Sequence, residues 1–542
     1  MTDPLLHITG LTVDYRTGRH WTPAVRGAGL HVEPGEFVSL VGESGSGKTT
    51  LIQGALGLLP AAARISGGSI EYSGVDVTGW NDRRMALVRG NYVGFIPQDP
   101  NTSLNPVKRI GRQVIEAIRF NRRPEKPDFR EAALDALRTA GLTNAGRVFE
   151  QYPHELSGGM KQRALIAIAL AGQPKIIVAD EPTSALDVTV QKVILDHLVS
   201  LRETLGIGIL LVTHDLGVAL ERSDRILVMQ DGVIVEHGPV AQVLEKPEAA
   251  YTRRLLDAAP SRHAGRLKPT AEVRLPAPED GEPVLVADNL TKTYRLRGRG
   301  SLRALDAAGL TVRRGTTHAI VGESGAGKST LAAILAGFTA ADAGTVHAGD
   351  RELTGLNRAQ LRELRRDLQF VFQNPFTSLD PRFTVERIVA EPLRAFGLAP
   401  GRAARTARVI ELLRAVALDD SYLHRLPGQL SGGQRQRVAI ARALALTPKI
   451  LVLDEAVSAL DVSVQAQILQ LLVDLQAEYG LSYVFVTHDL GVVRLIADDV
   501  TVMKDGVVVE TGPADRVLRA PEHDYTRQLL AAVPGIDIRS LS

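Results

Sequence analysis

Cysteine is absent from the 542 residues of the sequence. The chain therefore forms no disulfide bond, and it lacks the thiolate ligands of structural zinc sites and of cysteine-bound iron–sulfur clusters. This absence is compatible with the reducing environment of the cytoplasm. Functional residues are accordingly to be sought among other side chains.

Long hydrophobic runs are also missing. The longest apolar stretches, such as 164–170 and 207–212, fall far short of the about 20 residues that a helix needs to span a bilayer. The first residues, MTDPLLHITG, lack the basic region and unbroken apolar stretch of a signal peptide. We therefore expect a protein of this kind to work at a membrane only by docking onto other subunits.

A large excess of charge of either sign is missing as well. The 63 Lys and Arg residues nearly balance the 61 Asp and Glu residues, and the arginines are scattered along the chain. Strong electrostatic binding to nucleic acid is therefore not indicated. The remaining composition, with 44% hydrophobic residues and 50 Gly, is typical of a globular α/β protein. The length favours two large domains or about three ordinary ones.

The sequence contains an internal repeat. The segment GESGSGKT, which starts at Gly42, recurs 280 residues later as GESGAGKS, which starts at Gly322. The segments LSGG, THDLG and YTR each recur 274 residues later. Because the later motifs keep one spacing, the repeat is a duplication of a whole domain.

The segment between the two copies is rich in Pro, Ala and charged residues and has no periodic apolar face. We therefore predict one domain over 1–260, a linker over 261–283 and a second domain over 284–542. Such a linker holds the two domains at an effective concentration on the order of millimolar.

Continuous apolar runs predict buried parallel strands in both copies. EFVSLVG and THAIVG precede the glycine-rich segments, KIIVAD and KILVLD end in Asp, and ILLVTH and YVFVTH end in His. Apolar helices are predicted directly after the glycine-rich segments. A parallel sheet places its ligand site at the carboxyl ends of its strands, where all these motifs fall.

Each copy contains the pattern G-x-x-x-x-G-K-[ST], here called the phosphate loop (42–49 and 322–329). Glycines let consecutive backbone N–H groups surround a phosphate chain at the start of a helix. Lys48 and Lys328 are expected to reach the β- and γ-phosphates. Thr49 and Ser329 are expected to hold Mg²⁺. One match is compatible with an ordinary flexible loop, whereas two matches between a strand and a helix make an accident negligible.

Adjacent carboxylates follow two of the predicted strands, as Asp180 and Glu181 in the first copy and Asp454 and Glu455 in the second. The ordinary role of such a pair is a solvated helix start. Because each pair shares a domain with a phosphate loop, we expect the aspartates to orient the Mg²⁺ shell. The glutamates are expected to polarise the attacking water as general bases.

Two other residue pairs recur near the predicted strand ends. His214 and His488 are more often structural in such a position, but the repetition of THDLG favours contact with the γ-phosphate. Gln98 and Gln373 precede proline-containing segments and are expected to sense Mg²⁺ and the attacking water. The alternative for the glutamines is a polar turn.

Taken in this order, the motifs resemble the ATP-binding-cassette superfamily over nearly all of both halves. The resemblance implies an ATPase with the P-loop NTPase fold duplicated in tandem, each copy with a helical subdomain. In that family the LSGG motif opens a helix that points at the γ-phosphate of the ATP bound to the opposite domain. A helix start of small residues is a suitable seat for an anion.

The resemblance implies two ATP sites, each built from both copies. One site is expected to contain Gly42, Ser44, Gly45, Gly47, Lys48, Thr49, Thr50, Gln98, Asp180, Glu181 and His214 with Ser431, Gly432, Gly433 and Gln434. The other is expected to contain Gly322, Ser324, Gly325, Gly327, Lys328, Ser329, Thr330, Gln373, Asp454, Glu455 and His488 with Ser157, Gly158 and Gly159. The expected Mg²⁺ ligands are Thr49, Gln98, Asp180, Ser329, Gln373 and Asp454, and the expected catalytic residues are Glu181, Glu455, His214 and His488.

Tyr15 and Tyr294 occupy the position at which the family stacks an aromatic ring on adenine. Core packing is an equally good interpretation, since Leu11, Val13 and Tyr15 share one face of a predicted strand. Both interpretations stay open at this stage. The forms LSGGM and DEAVSALD depart from the commonest family motifs, but no phosphate-contacting position is lost, so both sites are expected to hydrolyse ATP.

Further segments resemble the ATPases of oligopeptide, dipeptide and nickel importers. These are QDPNTSLNP and QNPFTSLDP after the glutamines, and YTRRLLDAAP and YTRQLLAAVP near the domain ends. The first half resembles the D-type subunit and the second half the F-type. The resemblance implies import, most favourably of di- and oligopeptides, with two multi-spanning permease subunits and an extracytoplasmic substrate-binding protein as partners. The protein would then lie at the cytoplasmic face of the plasma membrane, without a nucleic-acid partner.

Two alternatives remain at this stage. The main one is a tandem-cassette ATPase that acts on ribosomes or nucleic acid without a membrane partner. That class usually joins its cassettes by a long charged helical linker, whereas the segment 261–283 is short and interrupted by Pro. A weaker alternative is the ATPase of an exporter.

Overall fold

The computed structural model describes residues 3–121, 128–184, 186–259, 265–271, 281–296, 300–353, 355–374, 378–458 and 460–533. The chain divides into two compact units, Met1–Ala259 and Pro260–Ser542. Each unit contains one phosphate loop and one copy of every repeated motif.

The first unit consists of two sheets and the helices that cover them. Its strands are β1 (Leu6–Thr17), β2 (His20–Val32), β3 (Phe37–Val41), β4 (Ala63–Tyr72), β5 (Val75–Asp76), β6 (Val93–Ile96), β7 (Ile176–Asp180), β8 (Gly208–Thr213), β9 (Arg225–Gln230) and β10 (Val233–Pro239). Its helices are Lys48–Ala55, Asp82–Val88, Pro100–Ser103, Ile110–Asn121, Phe129–Thr139, Ala145–Glu150, Gly158–Leu170, Val188–Leu205, Leu216–Arg222, Val240–Glu245 and Ala250–Ala258.

Among the described residues, the two sheets of this unit have the strand orders β2-β1-β4-β5 and β10-β9-β3-β8-β7-β6. The first sheet is antiparallel. In the second, β9 and β10 pair antiparallel and the other neighbours pair parallel. β3, with the sequence FVSLV, is buried at every position because it lies inside a sheet that is covered on both faces.

The hydrophobic core of the first unit lies on both faces of the larger sheet. On one face, Leu40 and Val178 pack with Leu11 of the antiparallel sheet and Leu51 of the helix after the phosphate loop. On the other face, side chains of β3, β7 and β8 pack against a helical layer that contains Ile110–Asn121, Gly158–Leu170 and Val188–Leu205. The core therefore fixes the carboxyl ends of the parallel strands from two sides.

The second unit repeats this order of elements. Its strands are β11 (Pro283–Leu296), β12 (Gly300–Arg313), β13 (Thr317–Val321), β14 (Ala343–Ala348), β15 (Arg351–Glu352), β16 (Leu368–Val371), β17 (Ile450–Asp454), β18 (Ser482–Val486), β19 (Asp499–Lys504) and β20 (Val507–Pro513). Its helices are Lys328–Leu335, Arg358–Asp367, Val385–Ala395, Arg402–Ala415, Gly432–Leu444, Val462–Tyr479, Leu490–Ile496, Ala514–Arg519 and Asp524–Ala531. The strand orders are β12-β11-β14-β15 and β16-β17-β18-β13-β19-β20 among the described residues.

The six apolar runs predicted as buried parallel strands are confirmed as β3, β7, β8, β13, β17 and β18. Both predicted helices after the phosphate loops are also confirmed, as Lys48–Ala55 and Lys328–Leu335. The predicted α/β class with a helical subdomain in each copy agrees with this architecture. No described helix is long and apolar enough to cross a membrane.

Part of the predicted linker lies on the second unit. Within residues 265–271, Arg266 forms an ion pair with Asp498. The backbone N–H and the hydroxyl of Thr270 donate to the carboxylate of Asp474 at 2.7 and 2.9 Å. This stretch is therefore attached to the second unit, and most of the remaining predicted linker falls outside the described residues.

Candidate active site

Four neighbouring strands of the first unit end at one edge of the sheet. The phosphate loop follows β3, Gln98 follows β6, Asp180 and Glu181 lie at the end of β7, and His214 follows β8. Because β3, β8, β7 and β6 are adjacent and parallel, these residues come together although they are far apart in sequence. The same four positions recur on β13, β16, β17 and β18 of the second unit.

The phosphate loop requires glycine at two positions of close approach. A Cβ atom on Gly42 would lie 2.2 Å from the carbonyl oxygen of Met229, and one on Gly47 would lie 2.7 Å from that of Ala24. Gly47 also has a φ of 103°, in the left-handed region that favours glycine. The loop is thus held against two neighbouring strands, which presents the backbone N–H groups at the start of the next helix.

The lysine of each loop is almost fully buried and turns back onto its own loop. The ammonium group of Lys48 donates to the carbonyl oxygens of Gly42 and Glu43 at 2.8 and 2.9 Å. Lys328 makes the same two bonds, at 2.7 and 2.8 Å. The positive charge of each lysine is therefore held beside the backbone of its phosphate loop, where a phosphate would bind.

A hydroxyl and a carboxylate meet beside each lysine. Thr49 donates to a carboxylate oxygen of Asp180 at 3.4 Å, and Ser329 donates to one of Asp454 at 3.3 Å. Oxygen atoms of this kind are the ligands that Mg²⁺ prefers. No group of three or more His, Cys, Asp and Glu side chains in the described residues is arranged to hold a metal ion.

Each of these aspartates has a raised pKa. For Asp180, burial and then the charge of Glu181 raise the pKa to about 6. The same two causes raise the pKa of Asp454. A divalent cation would offset both the burial of the charged aspartate and its repulsion by the glutamate, because it neutralises the paired carboxylates.

Each glutamate joins the groups from the two neighbouring strand ends. The side-chain amide of Gln98 donates to Glu181 at 2.9 Å, and Nδ1 of His214 lies 3.1 Å from the same carboxylate. Glu181 has a φ of 45°, which is uncommon for a residue with a side chain and costs about 1–3 kcal/mol. The turn at the end of β7 therefore holds the carboxylate at the site in a conformation that is unfavourable by itself.

The second unit repeats this arrangement with small differences. Gln373 donates to Glu455 at 2.7 Å, and Nδ1 of His488 lies 3.6 Å from that carboxylate. Glu455 has a φ of 46°. The strained turn and its two partners are therefore properties of both copies.

The glutamate and histidine shift each other's pKa values. Burial would raise the pKa of Glu181, but the hydrogen bond and charge of His214, with smaller contributions from Lys48 and Gln98, together lower it. Burial would also lower the pKa of His214, but the hydrogen bond and charge of Glu181, with a smaller contribution from Asp215, together raise it. The glutamate is therefore ionised at neutral pH, as an acceptor of a proton from water requires.

The LSGG motifs open helices that begin with an exposed serine. The Ser157 hydroxyl accepts from the backbone N–H of Met160 at 3.4 Å, which caps the helix Gly158–Leu170. Ser431 is similarly bonded within its own helix start. Ser157, Gly158 and Ser431 are exposed, whereas Gly159 and Gly432 are half-buried and Gly433 is buried.

The two LSGG turns differ in one side chain. Gln434 accepts from the backbone N–H of Ser431 at 2.9 Å and donates to the hydroxyl of Tyr422 at 3.0 Å. Met160 occupies the matching position of the first copy and cannot make these bonds. The second turn is consequently fixed by two hydrogen bonds more than the first.

Tyr15 and Tyr294 are only partly covered by the protein. Leu11 and Val13 of the same strand are fully buried, whereas Tyr15 is half-buried and Tyr294 is 38% exposed. Lys292 lies 5.7 Å from the ring of Tyr294. The rings are therefore not core residues of the kind that Leu11 represents, and a ring face that stacks on a base remains a prediction.

Sequence reasoning missed Tyr251 and Tyr525 as residues of the site. Their hydroxyls accept the backbone N–H groups of Glu43 and Glu323, which belong to the phosphate loops, at 3.0 Å each. The YTR segments served only as indicators of a subfamily in the sequence. Their recurrence in both copies was the one available signal, and it did not point to the loop.

Two family models match the chain. A family model described as ABC transporter matches residues 25–184 and 305–458. A second model, described as oligopeptide/dipeptide transporter, C-terminal region, matches residues 235–282 and 509–541. Both models match twice, in agreement with the internal repeat.

Several relatives match nearly the whole chain. The oligopeptide transport ATP-binding protein OppD of Mycobacterium tuberculosis is 41% identical over 98% of this chain and 99% of its own length. The peptidoglycan transport ATP-binding protein YejF of Agrobacterium fabrum is 42% identical over 99% of this chain and 97% of its own length. The glutathione import ATP-binding protein GsiA of Escherichia coli is 40% identical over 98% of this chain and 89% of its own length.

The Glu181–His214 pair predicts a distinctive titration. Since the pKa of His214 is raised, the pair's contribution to stability is fully present below the unfolded value of 6.5 and is lost as the pH rises through the folded value. Since the pKa of Glu181 is lowered, the contribution of Glu181 to stability is present above the unfolded pKa of 4.5 and is lost as the pH falls through the folded pKa. In the nucleotide-free protein, NMR titration of the ring is expected to show His214 protonated to higher pH than a free histidine.

The Glu181→Gln variant is expected to lower the pKa of His214 relative to that in the unaltered chain, because the charge of the glutamate is lost while burial remains. His488 serves as the internal control, since its partner Glu455 is unchanged. An unaltered titration of His214 in this variant would contradict the assigned ion pair.

Proposed function

Since the chain belongs to the ABC transporter family of ATPases, in its oligopeptide/dipeptide importer branch, we propose that each unit binds one Mg²⁺-ATP and that hydrolysis drives import through permease subunits. The observation that supports this most strongly is the meeting of lysine, carboxylates, glutamine and histidine at one sheet edge in both units. The alternative of a tandem ATPase that acts on ribosomes or nucleic acid is not supported by the matches.

We infer that the two units are the ATP-binding domains, over 1–260 and 284–542, with 261–283 as the connection. In the first, the backbone N–H groups of residues 44–50 would surround the phosphates, and Lys48, oriented by its bonds to the loop carbonyls, would also donate to phosphate oxygens. The residues of 322–330 would act likewise in the second. Tyr15 and Tyr294 would lie against the adenines.

Mg²⁺ would be held by Thr49 and Asp180 in the first unit and by Ser329 and Asp454 in the second, with Gln98 and Gln373 at its outer edge. When bound, the ion supplies positive charge that offsets the charge developing on the phosphate oxygens. The carboxylates of the aspartates must be ionised to bind it, which their proximity to the ion would favour.

Glu181 and Glu455 would each accept a proton from the attacking water. Such a base contributes typically 10²–10⁴ in rate. The glutamine and histidine bonded to the glutamate would orient its carboxylate, and the histidine would also contact the γ-phosphate. The lowered pKa of the glutamate keeps it ready as an acceptor at neutral pH.

We further propose that each ATP is completed by the LSGG turn of the opposite unit. The exposed position of Ser157 and Ser431 on their own units supports this arrangement, since a helix start of small residues offers backbone N–H groups to an outside anion. ATP would then favour a closed pair of domains, because only the closed pair provides its second set of donors. A shift from mostly open to mostly closed needs about 5.5 kcal/mol of differential binding, which two nucleotides share.

The partners proposed are two multi-spanning permease subunits and, through them, an extracytoplasmic substrate-binding protein. The chain would lie at the cytoplasmic face of the plasma membrane. Its relatives are named for transport of oligopeptides, peptidoglycan and glutathione, which supports di- or oligopeptides as cargo. The experiment that tests this is purification of the tagged chain from its own membranes with mass spectrometry of the bound proteins. Two multi-spanning subunits are expected, and recovery of ribosomes in their place would refute the proposal.

The double variant Glu181→Gln with Glu455→Gln is expected to bind ATP but to hydrolyse it at least about 10²-fold more slowly, because the proton acceptors are lost. Phosphate release and ATP binding are measured separately. The matched control is Glu203→Gln with Glu245→Gln, which makes the same change at exposed positions and is expected to retain turnover. Turnover in the site variant equal to that of the control would rule out the glutamates as bases.

The Ser431→Arg variant is expected to impair the ATP held by Lys48, although Ser431 belongs to the other unit. The bulky cation would enter the turn that completes this ATP, while loss of the Ser431 cap is expected to cost the second unit only about 0.5–2 kcal/mol of stability. Photolabelling with an azido-ATP analogue, followed by peptide mapping, shows which loop is occupied. Ser157→Arg is the mirror control and should impair the site of Lys328. Loss confined to the site of the same unit in both variants would contradict the crossed arrangement.

A further inference from the structure

The helix near the end of each unit places a tyrosine hydroxyl against the phosphate loop. Tyr251 lies in the helix Ala250–Ala258 and is 5% exposed, and its hydroxyl accepts from the backbone N–H of Glu43 at 3.0 Å. Tyr525 is 3% exposed and accepts from the N–H of Glu323 at 3.0 Å. Residues about 200 positions apart in sequence are joined in the same way in both units.

These bonds act on the peptide group that also holds the lysine. The carbonyl of Gly42 and the N–H of Glu43 belong to one planar peptide group. The carbonyl accepts from Lys48 at 2.8 Å while the N–H donates to Tyr251. Rotation of this peptide group would break both bonds together, so the hydroxyl fixes the direction of the carbonyl to which the lysine is bonded.

The tyrosine is itself held by a rigid support. Its ring packs in one cluster with Val41, the residue before the loop, and with Leu255 of its own helix. The carboxylate of Glu236 accepts from the backbone N–H groups of Glu248 and Ala249, at 2.8 and 3.1 Å, where the chain enters this helix.

The second unit repeats this support. Tyr525 packs with Val321 and Leu529, and Glu510 accepts from the backbone N–H groups of Glu522 and His523 at 2.9 and 3.1 Å. The hydroxyl therefore arrives at the loop from a fixed direction in both units, as a positioning group requires.

We propose that Tyr251 and Tyr525 are positioning residues for ATP binding, through the first peptide group of each phosphate loop. The inference rests on the proposed function, in which Lys48 and Lys328 bind the phosphates. Without the hydroxyl, the peptide N–H loses its partner and the loop populates orientations in which the lysine is misplaced. Only the fraction of molecules with the correct orientation binds ATP, so the apparent affinity falls in proportion.

The coupling is reciprocal. If the docked helix favours the binding form of the loop, then bound ATP must stabilise the docked helix by the same factor. ATP is therefore expected to slow backbone hydrogen exchange in the helix Ala250–Ala258, which is a prediction that simple packing of a tyrosine does not make.

The test measures the affinity of each loop separately with a non-hydrolysable ATP analogue and Mg²⁺. In a Lys328→Ala background, Tyr251→Phe is expected to raise Kd about fivefold, as for loss of one hydrogen bond, whereas Tyr525→Phe leaves Kd unchanged. In a Lys48→Ala background, Tyr525→Phe is expected to raise Kd and Tyr251→Phe to leave it unchanged. In the otherwise unaltered chain, the KM for ATP should rise more than kcat falls, and protection of the helix by the analogue should weaken in Tyr251→Phe.

Tyr483→Phe is the matched control for Tyr525→Phe. Tyr483 is also a fully buried tyrosine of the second unit, and its hydroxyl donates to the carbonyl oxygen of Leu472 at 2.8 Å, away from the phosphate loop. Both variants are expected to lower the thermal midpoint without nucleotide, but only Tyr525→Phe should weaken binding.

Two results would overturn the inference alone: a Kd unaltered by either loop-facing substitution, or an equal loss of affinity in Tyr483→Phe. A wild-type chain that does not bind the analogue would overturn the proposed function together with the inference. The two failures are thus distinguished by the wild-type titration.

Discussion

Parallel pairing of β3, β8, β7 and β6 is the constraint on which the site of the first unit depends. The pairing sets four strand ends side by side, and each end begins a turn that bears one chemical group. Backbone hydrogen bonds hold the strand ends in register, and the core on both faces resists any sliding of one strand against another. The distance between Gln98 and Glu181 is thus a property of the sheet rather than of the two side chains.

The sequence allowed the sheet to be predicted because its central strands are continuous apolar runs of five or six residues between turn residues. It also allowed most site residues to be named, since ligand groups of such sheets follow the strands. The contacts among those residues could not be predicted from the sequence. Nothing in the spacing shows that Gln98 and His214 share one carboxylate, or that the turn at Glu181 is left-handed, because both follow from tertiary packing. Tyr251 was missed for the same reason, since its partner lies 208 residues away.

The two units have the same site residues at their strand ends but differ in the contacts that hold some of these residues and the LSGG turns. The Gln434 side chain ties the second LSGG turn to Tyr422, whereas Met160 leaves the first turn with its serine cap alone. His214 lies 3.1 Å from its glutamate, and His488 lies 3.6 Å from its own. Both units therefore carry the lysine, hydroxyl, glutamine, carboxylates and histidine of the strand-end site, whereas they differ at the residue after LSGG, where Gln434 corresponds to Met160. Differences between the two sites are to be expected in how firmly their parts are held rather than in which parts are present.

The left-handed backbone at Glu181 and Glu455 sets the chemistry of these turns against the stability of the fold. Glycine adopts such a φ without steric cost, so glycine at either position would relieve local strain while it removed the carboxylate. A search for the most heat-resistant version of this chain would consequently favour glycine at both turns and lose the proposed proton acceptors. With the glutamates in that proposed role, stability and turnover make opposite demands on these turns, so a consensus-style stabilisation of this enzyme should leave those two codons untouched.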